Sequence, residues 1–426
     1  MVEIIVNILK KANIGKYKIN ANTVESIELF FIKKQLDMNR RKNVTHYKVT
    51  VYRDFEENNK KYTGSANVDI YPTMTVEEIE EALKDGLYAS SFVKNQFYPL
   101  VVGEKSQCIT IPSKFDGHSL EEAVLEMKKA LYSNDIYEDG GINSSEIFLN
   151  KTTSRIINSE GVDISFVKYT SEIECITQWL EEQDVELFNV FRYSELDANL
   201  ISEDVKDAIE LTRWRVKAKN PVKTGNYRVL LRKAAVKSFF DYYIDNATAN
   251  AVYNKLSRFN IEESVQGTVL KGDRVNITLM GSVPYDEDGF KLEEIKIIED
   301  GTLKAFYGSK RFCHYLDIKP TGVLDSVKVN LGKKSEEEMK KEPYLELLAF
   351  SDFQMDPLTG NFAGEIRLGF HYDGEKVTPV TGGSMSGNIS DFHENMFFSK
   401  EQYKEDRFIG PKILELLNVN ISGEEI

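Results

Sequence analysis

An α+β protein in two parts is the fold class the sequence predicts, and three observations predict it. The chain has 426 residues, too many for one ordinary hydrophobic core, since single cores stop growing near roughly 250 to 300 residues. Its first half alternates strand and helix patterns, whereas its second half is almost entirely strand-patterned and punctuated by Asp-Gly turns. Pro221 separates the two, because the residue before a proline is pushed out of the helical region. The expected parts are residues 1–220 and 221–426.

The elements follow in chain order. Ile4-Ile5-Val6-Asn7-Ile8-Leu9 is apolar but short, follows Glu3 and lacks a small-residue cleavage site, which makes it an ordered first element rather than a signal peptide. Residues 47–53 and 64–70 alternate polar and apolar positions around Asn58-Asn59-Lys60 and read as two strands. Thr75 with Glu78, and Ser119 with Glu122, are capping-box pairs. Behind the first, Val76, Ile79, Leu83 and Leu87 recur at helical spacing; behind the second, Leu120, Val124, Met127 and Leu131 do. Residues 164–169 and 185–192 read as strands separated by the polar turn Glu181-Glu182-Gln183-Asp184. A helix starting near Ser202 carries Val205, Ile209, Thr212 and Val216 on one stripe.

In the second half, residues 227–231 form a short apolar strand and 234–256 a helical segment. Val275, Ile277 and Leu279 alternate with polar neighbours. Asp286-Glu287-Asp288-Gly289 and Glu299-Asp300-Gly301 then turn the chain, and Asp373-Gly374 turns it again between residues 364–372 and 375–379; the glycines supply the positive φ of tight turns. Residues 332–342 are charge-rich and read as an exposed loop or short solvated helix.

Composition limits function. The hydrophobic share is 41%, charged residues make up 29%, and there are only 10 prolines, the balance of a folded soluble chain. A net charge of −14 opposes a nucleic-acid surface, since phosphate neutralisation needs clustered Lys and Arg. Arg40-Arg41-Lys42 is a local basic run and reads as a solvated turn. No stretch reaches the 18 or so apolar residues of a membrane span, so no membrane partner is expected. Cys108, Cys175 and Cys313 are odd in number and widely spaced, which points to a reducing cytoplasm rather than a disulfide framework. The Asn-x-Ser/Thr triplets at Asn43 and Asn276 then carry no glycosylation meaning.

Several motifs in order suggest a relationship. Asn150 and Asn158-Ser-Glu-Gly-Val162, Thr224-Gly-Asn-Tyr-Arg-Val229, Tyr285-Asp-Glu-Asp-Gly289, Ile298-Glu-Asp-Gly-Thr-Leu303 and Gly387-Asn-Ile-Ser-Asp391 together resemble the TldD/PmbA family, whose PmbA branch is also called TldE and whose older name is modulator of DNA gyrase. The resemblance runs over roughly residues 20–425. It implies an N-terminal α/β-sandwich-like domain, a mainly antiparallel, barrel-like C-terminal domain, and a dimer around a central cavity. TldD-type members carry a metallopeptidase site on a His-Glu-x-x-x-His helix with a later Cys ligand. They pair with PmbA-type members lacking it and trim peptides and unfolded polypeptides, including modified microcin precursors.

Counting from Thr224-Gly225 places the motif positions on Asp241, Tyr242 and Asn246. Zinc needs two imidazoles on one helix and a carboxylate to activate water, and neither a phenol nor an amide supplies these. No cysteine follows Cys313 to stand for the late ligand. Asp241 reads instead as a helix-surface or capping residue. Phe239-Phe240 and Tyr242-Tyr243 should contribute one pair to the core, with the other free to line a cavity.

Other chemistries are weaker. His46, His118, His314, His371 and His393 lack ligand spacing, and Cys313 next to His314 on a strand would point to opposite faces. There is no nucleophile elbow or phosphate loop; Thr381-Gly-Gly-Ser-Met-Ser-Gly387 lacks the lysine and reads as a turn. Asp286-Glu287-Asp288 is too short for an EF-hand calcium loop. The expectation is therefore a chain without cofactor or metal. It would be a non-catalytic PmbA-type subunit that joins a zinc-bearing TldD-type partner, or a second copy of itself, and admits extended peptide at an open sheet edge. Two alternatives remain: an independent hydrolase in which folding joins Asp241 and His314, and a peptide-binding scaffold homodimer.

Overall fold

The computed structural model describes residues 1–181 and 183–424; Glu182, part of the expected turn, lies outside the described residues. Strands β1 (Tyr17–Ile32), β2 (Gln35–Glu57), β3 (Lys60–Ile70), β4 (Gly140–Asn158), β5 (Asp163–Leu180) and β6 (Asp184–Tyr193) form one antiparallel sheet in the order β3-β2-β1-β4-β5-β6. Four helices cover one face. Helices α1 (Val2–Lys11) and α2 (Val76–Ser90) bury Ile5, Leu9, Ile79 and Leu83 against Ile19, Val49 and Val51. At the other end of the same face, α3 (Leu120–Leu131) and α4 (Ala198–Lys217) bury Met127, Leu131, Ile201 and Val205 against Leu29, Ile147 and Ile173. Odd-numbered residues of β1 point to the helices throughout, as the period of two requires.

Local chemistry sets the helix starts. Thr75 and Ser119 both form reciprocal capping boxes with Glu78 and Glu122, which satisfies two otherwise orphaned backbone donors at each end. Helix α4 begins earlier than its stripe suggested, because the Asp197 carboxylate accepts from the amide of Leu200 and caps it. The basic run at residues 40–42 is no turn. It lies within β2, where Arg40 and Lys42 both pair with Glu28, a carboxylate only 4% exposed.

The second half holds β7 (Gly225–Arg232), α5 (Ala234–Asn246), α6 (Ala249–Tyr253), β8 (Ile277–Met280), β9 (Ile295–Glu299), α7 (Lys310–Tyr315), β10 (Ser326–Val329) and α8 (Glu336–Met339). Strands β11 (Tyr344–Met355), β12 (Asn361–Tyr372), β13 (Ser384–Asn388), β14 (Gln402–Glu405), β15 (Phe408–Pro411) and β16 (Ile413–Ser422) follow, with short strands at Val377–Val380 and Phe397–Phe398 among them. The pairings β11-β7-β16-β13-β12 and back to β11 close a five-stranded barrel. Helix α5 packs Phe239, Phe240 and Tyr243, all fully buried, between that barrel and the sheet built on β8, β9 and β10. The expected long helix over 234–256 is broken after Asn246, where Thr248 caps a new helix through the amide of Ala251.

Turn chemistry follows the sequence at Asp300 and Gly301, whose φ values of 50° and 70° close the hairpin from β9 to residues 302–303. The charge-rich segment is less solvated than expected. Met339 of α8 is fully buried, and burial would raise the Glu336 carboxyl, but Arg232, Lys412 and Lys340 draw it down to about 2. Among the described residues, no helix is long and apolar enough to cross a membrane.

The two halves meet where residues 283–290 dock on the sheet face opposite the helices. Val283, Tyr285 and Phe290 pack on Ile156, Val162 and Ile164. Lys18 bonds the Asp288 carboxylate, and Asn20 Nδ2 donates to the Glu287 carbonyl at 3.2 Å. Gly289, at φ 79°, lies so close that a Cβ there would come to 2.7 Å from Val162 Cγ1. Gly289→Ala should therefore destabilise the protein by about 1–3 kcal/mol through steric overlap and an unfavourable φ. The shift of the chemical denaturation midpoint measures it, and an unchanged midpoint would refute the close docking.

Candidate functional site

The motif positions share α5, and the surrounding fold employs each side chain. Asn246 is 2% exposed, and its Nδ2 donates to the carbonyls of Tyr242 at 2.9 Å and Pro357 at 3.0 Å, which ties the helix to the turn before β12. The Tyr242 ring stands edge-on to Tyr243 and Phe259, at centroid distances of 5.3 and 5.7 Å. It also lies against Gly360 of that turn. Three of the four neighbouring aromatics are core, and Tyr242 is the partly buried one.

Asp241 departs from expectation. It is neither a cap nor a surface group, but sits mid-helix and half-buried. Burial raises its carboxyl to about 6, helped by Asp245 and opposed by Lys237. This set fits zinc poorly: one carboxylate, a packed phenol, and an amide whose nitrogen is already donating to two carbonyls. Among the described residues no group of His, Cys, Asp and Glu has the arrangement of a metal site.

The remaining candidates are dispersed. Cys313 and His314 lie on helix α7 rather than a strand; the thiol is buried and donates to the Gly308 carbonyl at 3.3 Å, while the imidazole is exposed beside Phe97 and Tyr315. No described hydrogen bond or ion pair joins His314 to Asp241. The Asp286 carboxylate accepts the amides of Asp288, Phe290 and Val323 at 2.9, 2.9 and 3.2 Å, so it folds the docking loop. Residues 381–387 make a turn at Gly382 and Gly383, with φ 86° and 77°, leading into β13.

A site the sequence did not signal lies between the two halves. A cleft of about 1080 Å³ runs between β6 and α4 on one wall and the start of α5, the middles of β11 and β12 and strand β14 on the other. Among the described residues strand β6 pairs only with β5, and no backbone hydrogen bond reaches its outer edge. Strand β11 pairs with β7 only over Leu345–Leu347. From Ala349 to Phe353 it has β12 alone as partner, and this stretch also lines the cleft. Two open sheet edges thus border one cavity.

One end of the cleft is a cluster of acids and phenols. Tyr193 at the end of β6 donates to Asp204 Oδ2 at 3.0 Å, and Tyr403 donates to Glu405 Oε2 at 2.8 Å. Burial raises Asp204 to about 6, while Tyr193 and Lys233 oppose the rise. Lys233 precedes α5 with φ 52° and ψ −126°, a conformation unfavourable for a residue with a Cβ. The other end carries Arg215 of α4 and Arg367 of β12. A strained backbone and a carboxyl raised by burial, here Asp204, in a cleft are marks of a working site. Their sequence separation explains why no local pattern revealed them.

Comparisons with known proteins agree with this fold. Residues 224–423 match the PmbA/TldA metallopeptidase C-terminal domain. An uncharacterised protein of Methanocaldococcus jannaschii is 22% identical, over 79% of this chain and 88% of its own length. Among solved structures, TldE from Thermococcus kodakarensis superposes with a TM-score of 0.79 at 15% identity, covering 99% of this chain and 100% of that one. A protein of Thermotoga maritima described as a putative modulator of a DNA gyrase gives 0.77 at 18% identity, with 99% and 100% covered. At such identities these structures establish a shared fold.

Asp241 yields a pH test. A carboxyl whose folded pKa lies above its unfolded value of about 3.9 favours the folded state while protonated, and that advantage is lost as pH rises through about 6. Asp241→Asn should therefore match the wild type near pH 4 and be more stable by about 2 kcal/mol near pH 8. Denaturation curves at the two pH values check this; an equal effect at both would place Asp241 in water. Asn246→Leu should cost about 1–3 kcal/mol, because the Pro357 carbonyl is left unpaired in the interior, read from the same curves.

Proposed function

The chain belongs to the TldD/PmbA family through its C-terminal half, and on that premise we propose that it is a non-catalytic, TldE-type component that cradles extended peptide for a zinc-bearing partner subunit. The observation that carries the cradle is the pair of unpaired edges, β6 and residues 349–353, facing one cleft. An extended chain laid on such an edge gains main-chain hydrogen bonds without regard to its sequence. An edge left bare in a cleft also avoids the edge-to-edge aggregation that an outward edge invites. The non-catalytic part rests on α5, where Tyr242 and Asn246 are committed to packing and backbone hydrogen bonds.

Two measurements test the halves of this reading. For binding, an unstructured peptide and its scrambled sequence should bind alike, whereas the same peptide N-methylated at alternate amides should bind at least about tenfold more weakly, having lost two or more main-chain hydrogen bonds. Hydrogen exchange should then slow at the amides of 184–193 and 349–353; protection elsewhere would discard the cradle. For chemistry, the purified chain should carry no stoichiometric zinc and leave casein intact. Cleavage should appear only when a His-Glu-x-x-x-His subunit is added, and zinc-dependent cleavage by this chain alone would overturn the assignment.

A further inference from the structure

We infer that Arg215 and Arg367 form a seat for the C-terminal α-carboxylate of the peptide held in the cleft. The inference rests on the peptide-cradle reading and gives it a direction and a length.

Helix α4 presents Leu200, Asp204, Leu211 and Arg215 to the cleft, a single stripe at helical spacing. Arg215 follows Asp204 by eleven residues on a continuous helix, so the two side chains root about 16 Å apart along the cleft wall. The charged groups at the two ends differ in kind. At the Asp204 end stand the carboxylates of Asp204 and Glu405 with Lys233 beside them. At the far end are two guanidiniums, and the acids at the start of β6, Asp184 and Glu186, are engaged by Gln178 and Asn143.

Among the described residues the Arg215 side chain has no ion pair or hydrogen bond, and that of Arg367 has only a hydrogen bond from Nη2 to Ser351 Oγ at 3.1 Å. Other arginines near this region are matched. Arg232 pairs with Glu346 and Glu336, and Arg213 with Glu210 at 3.7 Å. Burial, and then the charge of Arg367, lower the pKa of Arg215. The strand and helix that bring these like charges together are held by the Trp214 and Phe370 rings, packed edge to face at 5.3 Å. Two unneutralised guanidinium forks at one end of a half-enclosed cleft suit a planar, two-oxygen anion, which each can bind in bidentate fashion.

The walls decide which carboxylate. An extended strand rises about 3.3 Å per residue, so roughly five residues cover the distance from Asp204 to Arg215. Helix α4 runs back along β6: Tyr193 bonds Asp204 early in the helix, while Thr212 bonds Thr177, the β5 partner of Leu187, late in it. A peptide with its carboxylate at Arg215 and its amino end near Asp204 therefore lies antiparallel to β6, the better hydrogen-bonded pairing.

The test uses the full chain and fluorescent pentapeptides of one sequence, ending in a free acid or an amide, with binding read by fluorescence anisotropy. The acid should bind about tenfold tighter than the amide, the order expected of hydrogen bonds to a charged group. In Arg215→Gln/Arg367→Gln that gap should close while the amide's affinity stays as in the wild type. Both residues reach solvent and neither is in the core, and matching thermal melts confirm the variant is folded. Equal affinities of acid and amide for the wild type would overturn the seat and leave the cradle standing. An amide with glutamate as its last residue that binds as tightly as the acid would overturn the terminal assignment. If neither peptide binds, the cradle fails and the seat with it.

Discussion

The docking of residues 283–290 onto the N-terminal sheet is the contact on which the remaining geometry depends. It lies where β1, β4 and β5 expose Lys18, Asn20, Ile156 and Ile164 on the face away from the helices. A second clamp stands beside it: Lys310 Nζ donates to the Leu100 carbonyl at 2.7 Å, Arg311 Nη2 to Asn95 Oδ1 at 2.7 Å, and the Tyr315 hydroxyl to the Gln96 carbonyl at 2.6 Å. The first uses the part of β5 before Ser171, where β6 begins to pair, and the second lies beyond β3 at the opposite edge of the sheet. Toward β6 and α4 the second half makes side-chain contacts, Phe370 on Trp214 and Lys233 with Asp207 at 4.0 Å, but among the described residues no strand of it pairs with β6. A cleft bounded by open edges is the geometric result.

The far wall of that cleft depends on charge buried in the barrel. Arg232 closes β7 with its guanidinium on Glu346 and Glu336, and Lys340 reaches the second oxygen of Glu346 at 2.9 Å. Glu346 is 2% exposed, so stripping this network of one partner would leave a charge in the interior at a cost of about 3–5 kcal/mol. The network fixes the point at which β7 ends and α5 departs through the unfavourable conformation of Lys233. Because β7 stops there, β11 loses its partner after Leu347, and the open edge at 349–353 follows. An ion-pair cluster thus determines where an unpaired sheet edge appears.

Features written in a few adjacent residues were legible in the sequence. The capping boxes at Thr75 and Ser119, the hairpin at Asp300-Gly301, and the stripe Val205, Ile209, Thr212 and Val216 all depend on local chemistry. Features fixed by distant contacts were not. Strand β2 reads as polar over residues 35–46 because that part is largely solvent-exposed on both faces, so no alternation marks it. Cys313 and His314 read as strand, yet a six-residue helix forms where α7 seats against residues 95–100. The break after Asn246 escaped because Ala247 is a good helix former; Thr248 ends the run by capping the next helix. The cleft was invisible altogether, since Tyr193, Asp204 and Arg215, Arg367, and Tyr403 come from four elements that only tertiary packing assembles.

Helix α5 holds its place in the fold through the side chains at positions 241, 242 and 246. The three motif positions are not vacant: Asn246 binds two carbonyls, Tyr242 fills the space against Gly360, and Asp241 is partly desolvated. Placing an imidazole at position 246 would withdraw an amide donor from Pro357, so a metal ligand there would conflict with packing already in place. A scaffold with those positions committed can still present sheet edges and charged cleft ends. These need only backbone geometry and a few side chains on α4, β12 and β14. Under the proposed role, binding of extended chain and hydrolysis of it are therefore separable properties of the fold, and this chain has side chains arranged for the first.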